Sequence, residues 1–201
     1  TPILNIWDYC VIYPGNAPLA NAFNMPEDYG LYKSLKVRGI FSEFECPISS
    51  DFWDMNTWIY AKMLEDPSQD INKLIKTFTN GYYGPAGKYI RQYLQLVRTC
   101  TNNSMEKGEF GQDTTLLKYL NADTVLKAEA LFNKALKAVE GNAVFTRRVE
   151  HARTALDRYT VLRYSRLTAT DKAFPIARAT AINRLVDSLN AQIKLRHAEN
   201  W

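Results

Sequence analysis

Two rhythms of apolar and polar positions divide this chain. The opening stretch ILNIWDYCVIY, residues 3–13, is dense in β-branched and aromatic side chains and runs into YPGNAP, a Pro/Gly/Asn cluster that ends a strand in a loop. A second apolar run, Val37 to Phe41, follows the helix-compatible stretch Asp28 to Lys36 and leads into Ser42, Glu43, Phe44 and Glu45. Strand, loop, helix and strand in that order predict a parallel βαβ unit. Two strands neither cover both faces of a parallel sheet nor close a barrel, so the N-terminal third reads as part of something larger.

From Asp51 onward the spacing becomes helical. Ser50 or Asp51 is placed to cap a helix bearing Phe52, Met55, Ile59 and Met63, which ends before Asp66-Pro67. Asp70 is placed to start the next, with Ile71, Leu74, Ile75 and Phe78 on one face and Gly81 as its stop. Pro85 suits a first helical turn, and Tyr89, Ile90, Tyr93, Leu94 and Val97 form the stripe that follows it. Residues 101–115 are polar, contain Gly108 and Gly111, and read as a loop. Three long stripes complete the chain: Val125 to Val139 between Asn121 and Gly141, Phe145 to Tyr159, and Ile182, Val186, Leu189 and Ile193. Pro175 is expected in the first turn of the last helix, or as a kink in it. Such stripes must be buried, which predicts an antiparallel bundle.

Composition narrows the chemistry. The 201 residues are 46% apolar, an ordinary globular content, and no run approaches the ~18 apolar residues that span a bilayer. Neither a basic segment nor an apolar core of a leader peptide opens the sequence. Cys10, Cys46 and Cys100 have no paired metal-ligand spacing, and His151 and His197 sit in helical patterns away from any cysteine pair. No cofactor or metal is indicated, and the chemistry must rest on carboxylates and aromatics. The net charge of +4 is uneven: residues 142–201 hold eleven Lys/Arg against five Asp/Glu, or +6, leaving −2 on the first 141. That excess reads as a solvated helix face or as a surface for an anionic partner.

The succession IWDY, a long Pro/Asn loop, VRGIFSE, WDMNTWIYAKMLEDPSQD and FTNGYYGPAGKYIRQYL resembles a family of uncharacterised bacterial proteins related to glycoside hydrolases. That family is catalogued as a domain of unknown function, and its barrel is similar to those of alpha-glucuronidases and beta-hexosaminidases. The resemblance covers residues 3–98, with LEDPSQD and NGYYGPA as its most specific pieces. It implies a mainly α chain with a small parallel β portion: the last β/α units of a (β/α)8 barrel over residues 1–112, then a three-helix bundle over 113–201. The remaining strands are expected from the parent chain. A glycan or oligosaccharide partner and a secreted, periplasmic or cell-surface location come from the resemblance as well.

In such a barrel the active face lies at the C-terminal ends of the strands, where Trp7, Asp8 and Tyr9 end the first strand and Ser42, Glu43 and Glu45 follow the second. Glycoside hydrolysis ordinarily uses two carboxylates about 5 to 9 Å apart, and neighbouring strands lie about 4.8 Å apart, so Asp8 and Glu43 are the catalytic candidates. A structural reading competes, with Asp8 bonding loop amides and Glu43 pairing with an arginine. Trp7, Tyr9, Glu45 and Trp53 are the candidate substrate contacts, since pyranose C–H groups stack on aromatic faces. Trp58, Tyr82 and Tyr83 read as packing residues. Two further functions stay open. One is a non-catalytic carbohydrate-recognition or structural module. The other is a helical interaction protein, which would need Arg147, Arg148, Arg158, Arg166 and Arg184 on one face; the interleaved Glu150 and Asp157 argue against nucleic acid as its partner.

Overall fold

The computed structural model describes residues 3–9, 17–44, 48–104, 119–170 and 174–198. It is mainly helical, with one two-stranded parallel sheet near the N-terminus. Strand β1, Asn5–Tyr9, pairs with β2, Gly39–Glu43, in the register Asn5↔Gly39 to Tyr9↔Glu43. Between them lies helix α1, Met25–Ser34, completing the expected βαβ unit. It starts three residues before the expected Asp28, because Pro26 occupies its first turn and Glu27 and Asp28 face the positive end of the helix dipole. The second strand begins at Gly39 rather than Val37. Lys36 adopts a left-handed φ of 57° and the Val37 amide donates to Tyr32 O, so both residues close α1.

Helix α2 spans Trp53–Glu65 and α3 Ile71–Tyr83. Neither Ser50 nor Asp51 caps α2: its N-cap is Phe52 in a left-handed conformation, without a side-chain cap. The LEDPSQD segment is the link between the two helices. Asp66 Oδ1 accepts from the Ser68 amide and hydroxyl, Gln69 Nε2 donates back to Lys62 O, and Asp70 caps α3 through the amides of Asn72 and Lys73, as expected.

Gly81 does not stop α3, for the helix runs on to Tyr83 and closes at Gly84, whose φ is +54°. A Cβ at Gly81 would meet open space, whereas one at Gly87 would lie 2.4 Å from Thr79 O. Gly87 therefore lets α4, Gly87–Ser104, pass against the backbone of α3. Pro85 lies in the short 3-10 turn Gly84–Ala86 that leads into α4. The segment expected as loop from residue 101 is helical as far as Ser104, and residues 105–115 lie outside the described residues.

Helices α5, Ala122–Ala138, and α6, Ala143–Leu162, start at Asn121 and Asn142, whose side chains accept from the amides of Thr124 and Phe145. The short α7, Tyr164–Thr170, and the long α8, Arg178–Ala198, follow. Pro175 lies in the irregular segment ahead of α8 rather than in its first turn. The core is continuous from Ala17 to Ala181, and cross-links such as Tyr119 Oη to Pro18 O and Arg148 Nη1 to Tyr82 O join the N-terminal helices to the C-terminal ones. Among the described residues no helix is long and apolar enough to cross a membrane.

The last helix departs most from its pattern. Of its stripe, Ile182, Val186 and Ile193 face outward, with Val186 47% exposed, and Leu189 is half-buried, while Ala181, Ser188 and Gln192 are buried. The cause lies on α6, where Arg153 and Asp157 are buried as an ion pair at 3.0 Å. Arg184 of α8 donates to Asp157 Oδ1 at 2.6 Å and also pairs with Glu129 of α5. Four positions on, Ser188 meets the Thr154 hydroxyl at 3.0 Å, so α8 runs antiparallel to α6 along a polar seam.

Removing Arg184 leaves Glu129 without its cation and Asp157 with Arg153 alone, and breaking a buried pair costs about 3–5 kcal/mol. Urea unfolding at neutral pH should register a loss of at least ~3 kcal/mol for Arg184→Met. Adding Glu129→Gln to that variant should return part of it, because Asp157 keeps Arg153 as its partner. A single variant within about 0.5 kcal/mol of the parent would mean that the seam does not hold α8.

Candidate functional site

The register of the sheet decides which side chains share a face. Successive strand residues point to opposite sides, so Asn5, Trp7 and Tyr9 of β1 lie with Gly39, Phe41 and Glu43 of β2 on one face. Ile6, Asp8, Ile40 and Ser42 lie on the other, toward the helices. There the Tyr29 hydroxyl donates to Asp8 Oδ2 at 2.6 Å, and the Ser42 and Tyr60 hydroxyls meet. Close by, Asp28 is raised above the usual carboxylate range, first by burial and then by the charges of Asp8 and Glu27.

Among the described residues no helix lies against the opposite face. Trp7 is 63% and Phe41 58% exposed, their ring centroids 4.7 Å apart, and Tyr9 is exposed beside them. The Trp7 indole N–H donates to Glu43 Oε1 at 2.6 Å, so the carboxylate is fixed against the edge of the aromatic pair. A shallow cavity of about 400 Å³ lies against Asn5, Trp7, Gly39 and Phe41, with Ile6 and Ile40 of the other face also in its lining. A Cβ at Gly39 would come within 2.9 Å of Asn5 Oδ1, a contact that the Asn5 side chain can relieve by moving.

The predicted site residues are thus divided. Trp7, Tyr9 and Glu43 stand together, while Asp8 sits on the helix side of the same sheet and does not face Glu43 across a common cleft. Trp53 lies at the start of α2, its indole N–H donating to Phe44 O at 2.7 Å and its ring under the Arg196 guanidinium. Glu45 lies outside the described residues. Trp58 and Tyr82 pack on Phe78, and Tyr83 is buried. The five arginines named for an anionic surface are dispersed: Arg184 is in the ion network and Arg148 is bonded to Tyr82 O. Phe41 was not singled out from the sequence, although its place two residues before Glu43 puts it on the Trp7 face as soon as the register is known.

Asp51, the expected helix cap, has another role. Its Oδ2 accepts from the Leu19 amide at 2.9 Å, while Oδ1 is shielded from solvent and has no hydrogen-bond partner. Burial is the main cause that pushes its carboxyl up to about 7, against the lowering effect of the Leu19 bond.

A family model described as a domain of unknown function, DUF4838, matches residues 1–95, a span from β1 into α4. No curated protein and no solved structure matches the chain. The matched span holds the whole βαβ unit, the LEDPSQD link and the glycine-closed end of α3.

Asp51 makes stability depend on pH in a stated direction. The folded carboxyl keeps its proton up to about pH 7 and the unfolded one only below about 4, so the fold loses stability as pH rises through that window, by up to ~4 kcal/mol. Asp51→Asn should leave stability at pH 4 nearly unchanged and raise it at pH 8. Thermal melts at the two pH values compare the variants, and equal shifts at both would refute the assignment.

Proposed function

We propose that this chain is a glycoside-hydrolase-like, carbohydrate-binding protein whose sugar-facing surface is the open face of the sheet, with Trp7, Phe41 and Tyr9 as the stacking platform and Glu43 as its carboxylate. In this reading the βαβ unit is the last part of a (β/α) barrel and the open face belongs to its lumen. An extracytoplasmic location, where glycans are met, goes with it.

One observation carries the reading: two large aromatic rings stand mostly in solvent, side by side, with a carboxylate held in place by the indole N–H of one of them. Exposed rings forgo the ~1.5–3 kcal/mol each that full burial contributes, so a surface that presents them together is suited to a partner that covers them. A pyranose does so with its C–H face, while its hydroxyls donate to a carboxylate at the ring edge.

Parallel sheets are ordinarily covered on both faces, and among the described residues helices lie on one face alone, which supports the barrel reading. Binding is favoured over hydrolysis by residues on hand, because Glu43 is the one carboxylate on this face among the described residues and hydrolysis ordinarily needs two. Asp8 leaves the site in this reading and serves to tie β1 to α1 through Tyr29.

Titration with an oligosaccharide panel, followed by indole fluorescence, is the direct check. Trp7→Ala should weaken binding about tenfold, or ~1.4 kcal/mol, and Glu43→Gln by a similar factor. Asp8→Asn should leave affinity within about threefold, a difference below ~0.7 kcal/mol. Affinity indifferent to Trp7 and Glu43 would remove the sheet face from consideration. Turnover of glycosides that disappears in Glu43→Gln, with binding retained, would extend the role of this carboxylate from binding to chemistry.

A further inference from the structure

The open face of the sheet carries charge of one sign. Among the described residues it is made of Asn5, Trp7 and Tyr9 of β1 with Gly39, Phe41 and Glu43 of β2, so it bears one carboxylate and no Lys or Arg. The hollow beside Trp7 and Phe41 has no charged side chain in its lining either.

The basic residues of this region lie elsewhere. From residue 1 to residue 61 the sequence holds only Lys33, Lys36 and Arg38. All three precede β2, whereas Glu43 ends it, five residues or about 16 Å along the strand from Arg38, which exceeds the Debye length at physiological salt. Lys33 and Arg38 line a separate hollow with Tyr29 of α1 and Met63 of α2, on the helix side of the sheet. The stretches that follow the two strands, residues 10–32 and 44–61, contain neither Lys nor Arg.

Glu43 is held in place without being neutralised. The Trp7 indole N–H donates to Oε1 at 2.6 Å, and among the described residues no Lys, Arg or His forms an ion pair with this carboxylate. A neutral donor orients the group and leaves it further acceptor sites. Beside it stand the two exposed rings, their centroids 4.7 Å apart and their planes inclined by 56°, so a flat pyranose stacks on one of them and not on both. A single ammonium, by contrast, fits within the ~6 Å reach of cation–π attraction to both centroids, and Trp is the strongest side chain in that attraction.

We propose that the open face selects a sugar bearing a protonated amine, a 2-amino-2-deoxy sugar such as a glucosamine oligomer, with the ammonium held between Glu43 and the Trp7 and Phe41 rings. Selectivity of this kind rests on the carbohydrate-binding reading of the face and adds to it the charge of the ligand. A charged N–H makes a stronger bond to a carboxylate than a neutral hydroxyl does, whereas a uronic acid brings a second carboxylate toward Glu43 and is repelled. The chain as a whole carries a net charge of +4, so a preference for a cationic sugar comes from a local site and not from the overall field.

Calorimetric titration of the 201-residue chain compares a β-1,4-linked glucosamine tetramer with its fully N-acetylated form, cellotetraose and tetragalacturonate, at a mildly acid pH that keeps the amines protonated. The glucosamine tetramer should bind about tenfold tighter than the N-acetylated form or cellotetraose, or ~1.4 kcal/mol, and tetragalacturonate more weakly than either. Added salt should narrow the gap. Glu43→Gln keeps an oxygen for the Trp7 N–H, and it should bring the glucosamine and N-acetylated tetramers within about threefold of each other. Trp7→Ala should weaken the binding of both.

Neutral tetramers bound through Trp7, with no preference for the amine, would overturn the selectivity and leave the sugar-binding face standing. A preference that survives Glu43→Gln, or tighter binding of tetragalacturonate, would overturn it as well. Binding of none of the four would remove the face and its selectivity together.

Discussion

The buried charges of α6 set the arrangement of the C-terminal half. Arg153 and Asp157 lie on the face that packs inward, 6% and 2% exposed, and neither can remain there without partners. Arg184 meets Asp157 and Glu129, which fixes the rotation of α8 about its axis. At 100° per residue the face thus turned inward lies about a third of a turn from the stripe of Ile182, Val186 and Ile193. Rotating α8 to bury that stripe would recover about 1 kcal/mol for each half-exposed side chain, but it would leave Glu129 without its cation and Asp157 with Arg153 alone, at about 3–5 kcal/mol. The charges outweigh the stripe, and α8 keeps an apolar edge in solvent.

That rotation has a consequence about 18 Å farther along α8. Arg184, Ser188, Gln192 and Arg196 follow one another at intervals of four, so fixing Arg184 brings Gln192 and Arg196 to the start of α6 and over Trp53. One end of the seam is balanced, with Arg153 and Arg184 against Asp157 and Glu129. At the other end Trp53, Asp54, Tyr82, Arg147, Arg148 and Arg196 line a cleft. Helix α2 connects this cleft to the sheet. Trp53 lines the cleft and also donates to Phe44 O just beyond β2, while Tyr60 on the same helix meets Ser42 of β2.

Periodicity made most of the helices legible, because a stripe such as Leu74 and Ile75, or Val125 to Val139, has only one face to bury. The caps Asp70 and Asn121 were legible for the same local reason. Where two residues competed for one role, sequence alone chose poorly. Gly81 read as the end of α3, but the helix closes at Gly84, where α4 begins its close passage at Gly87. Asp51 offered a cap to α2, but the Leu19 amide, far away in sequence, takes its carboxylate. The outward stripe of α8 follows the same pattern, since the buried ion pair that overrides it is on another helix.

The sheet face shows how little separates a legible site from an illegible one. Asp8 and Glu43 end adjacent strands, and on that ground alone they read as a pair. A parallel register of Tyr9 with Glu43 places them on opposite faces, whereas a shift of one residue would have placed them side by side. The register is set by Arg38 N donating to Leu4 O and by the length of the α1 crossover, which Lys36 and Val37 extend by closing the helix. Neither is visible as a motif. The arginine cleft was harder still to foresee, because its walls come from four helices and residues up to 143 positions apart. What the sequence did carry was the excess of positive charge after residue 141.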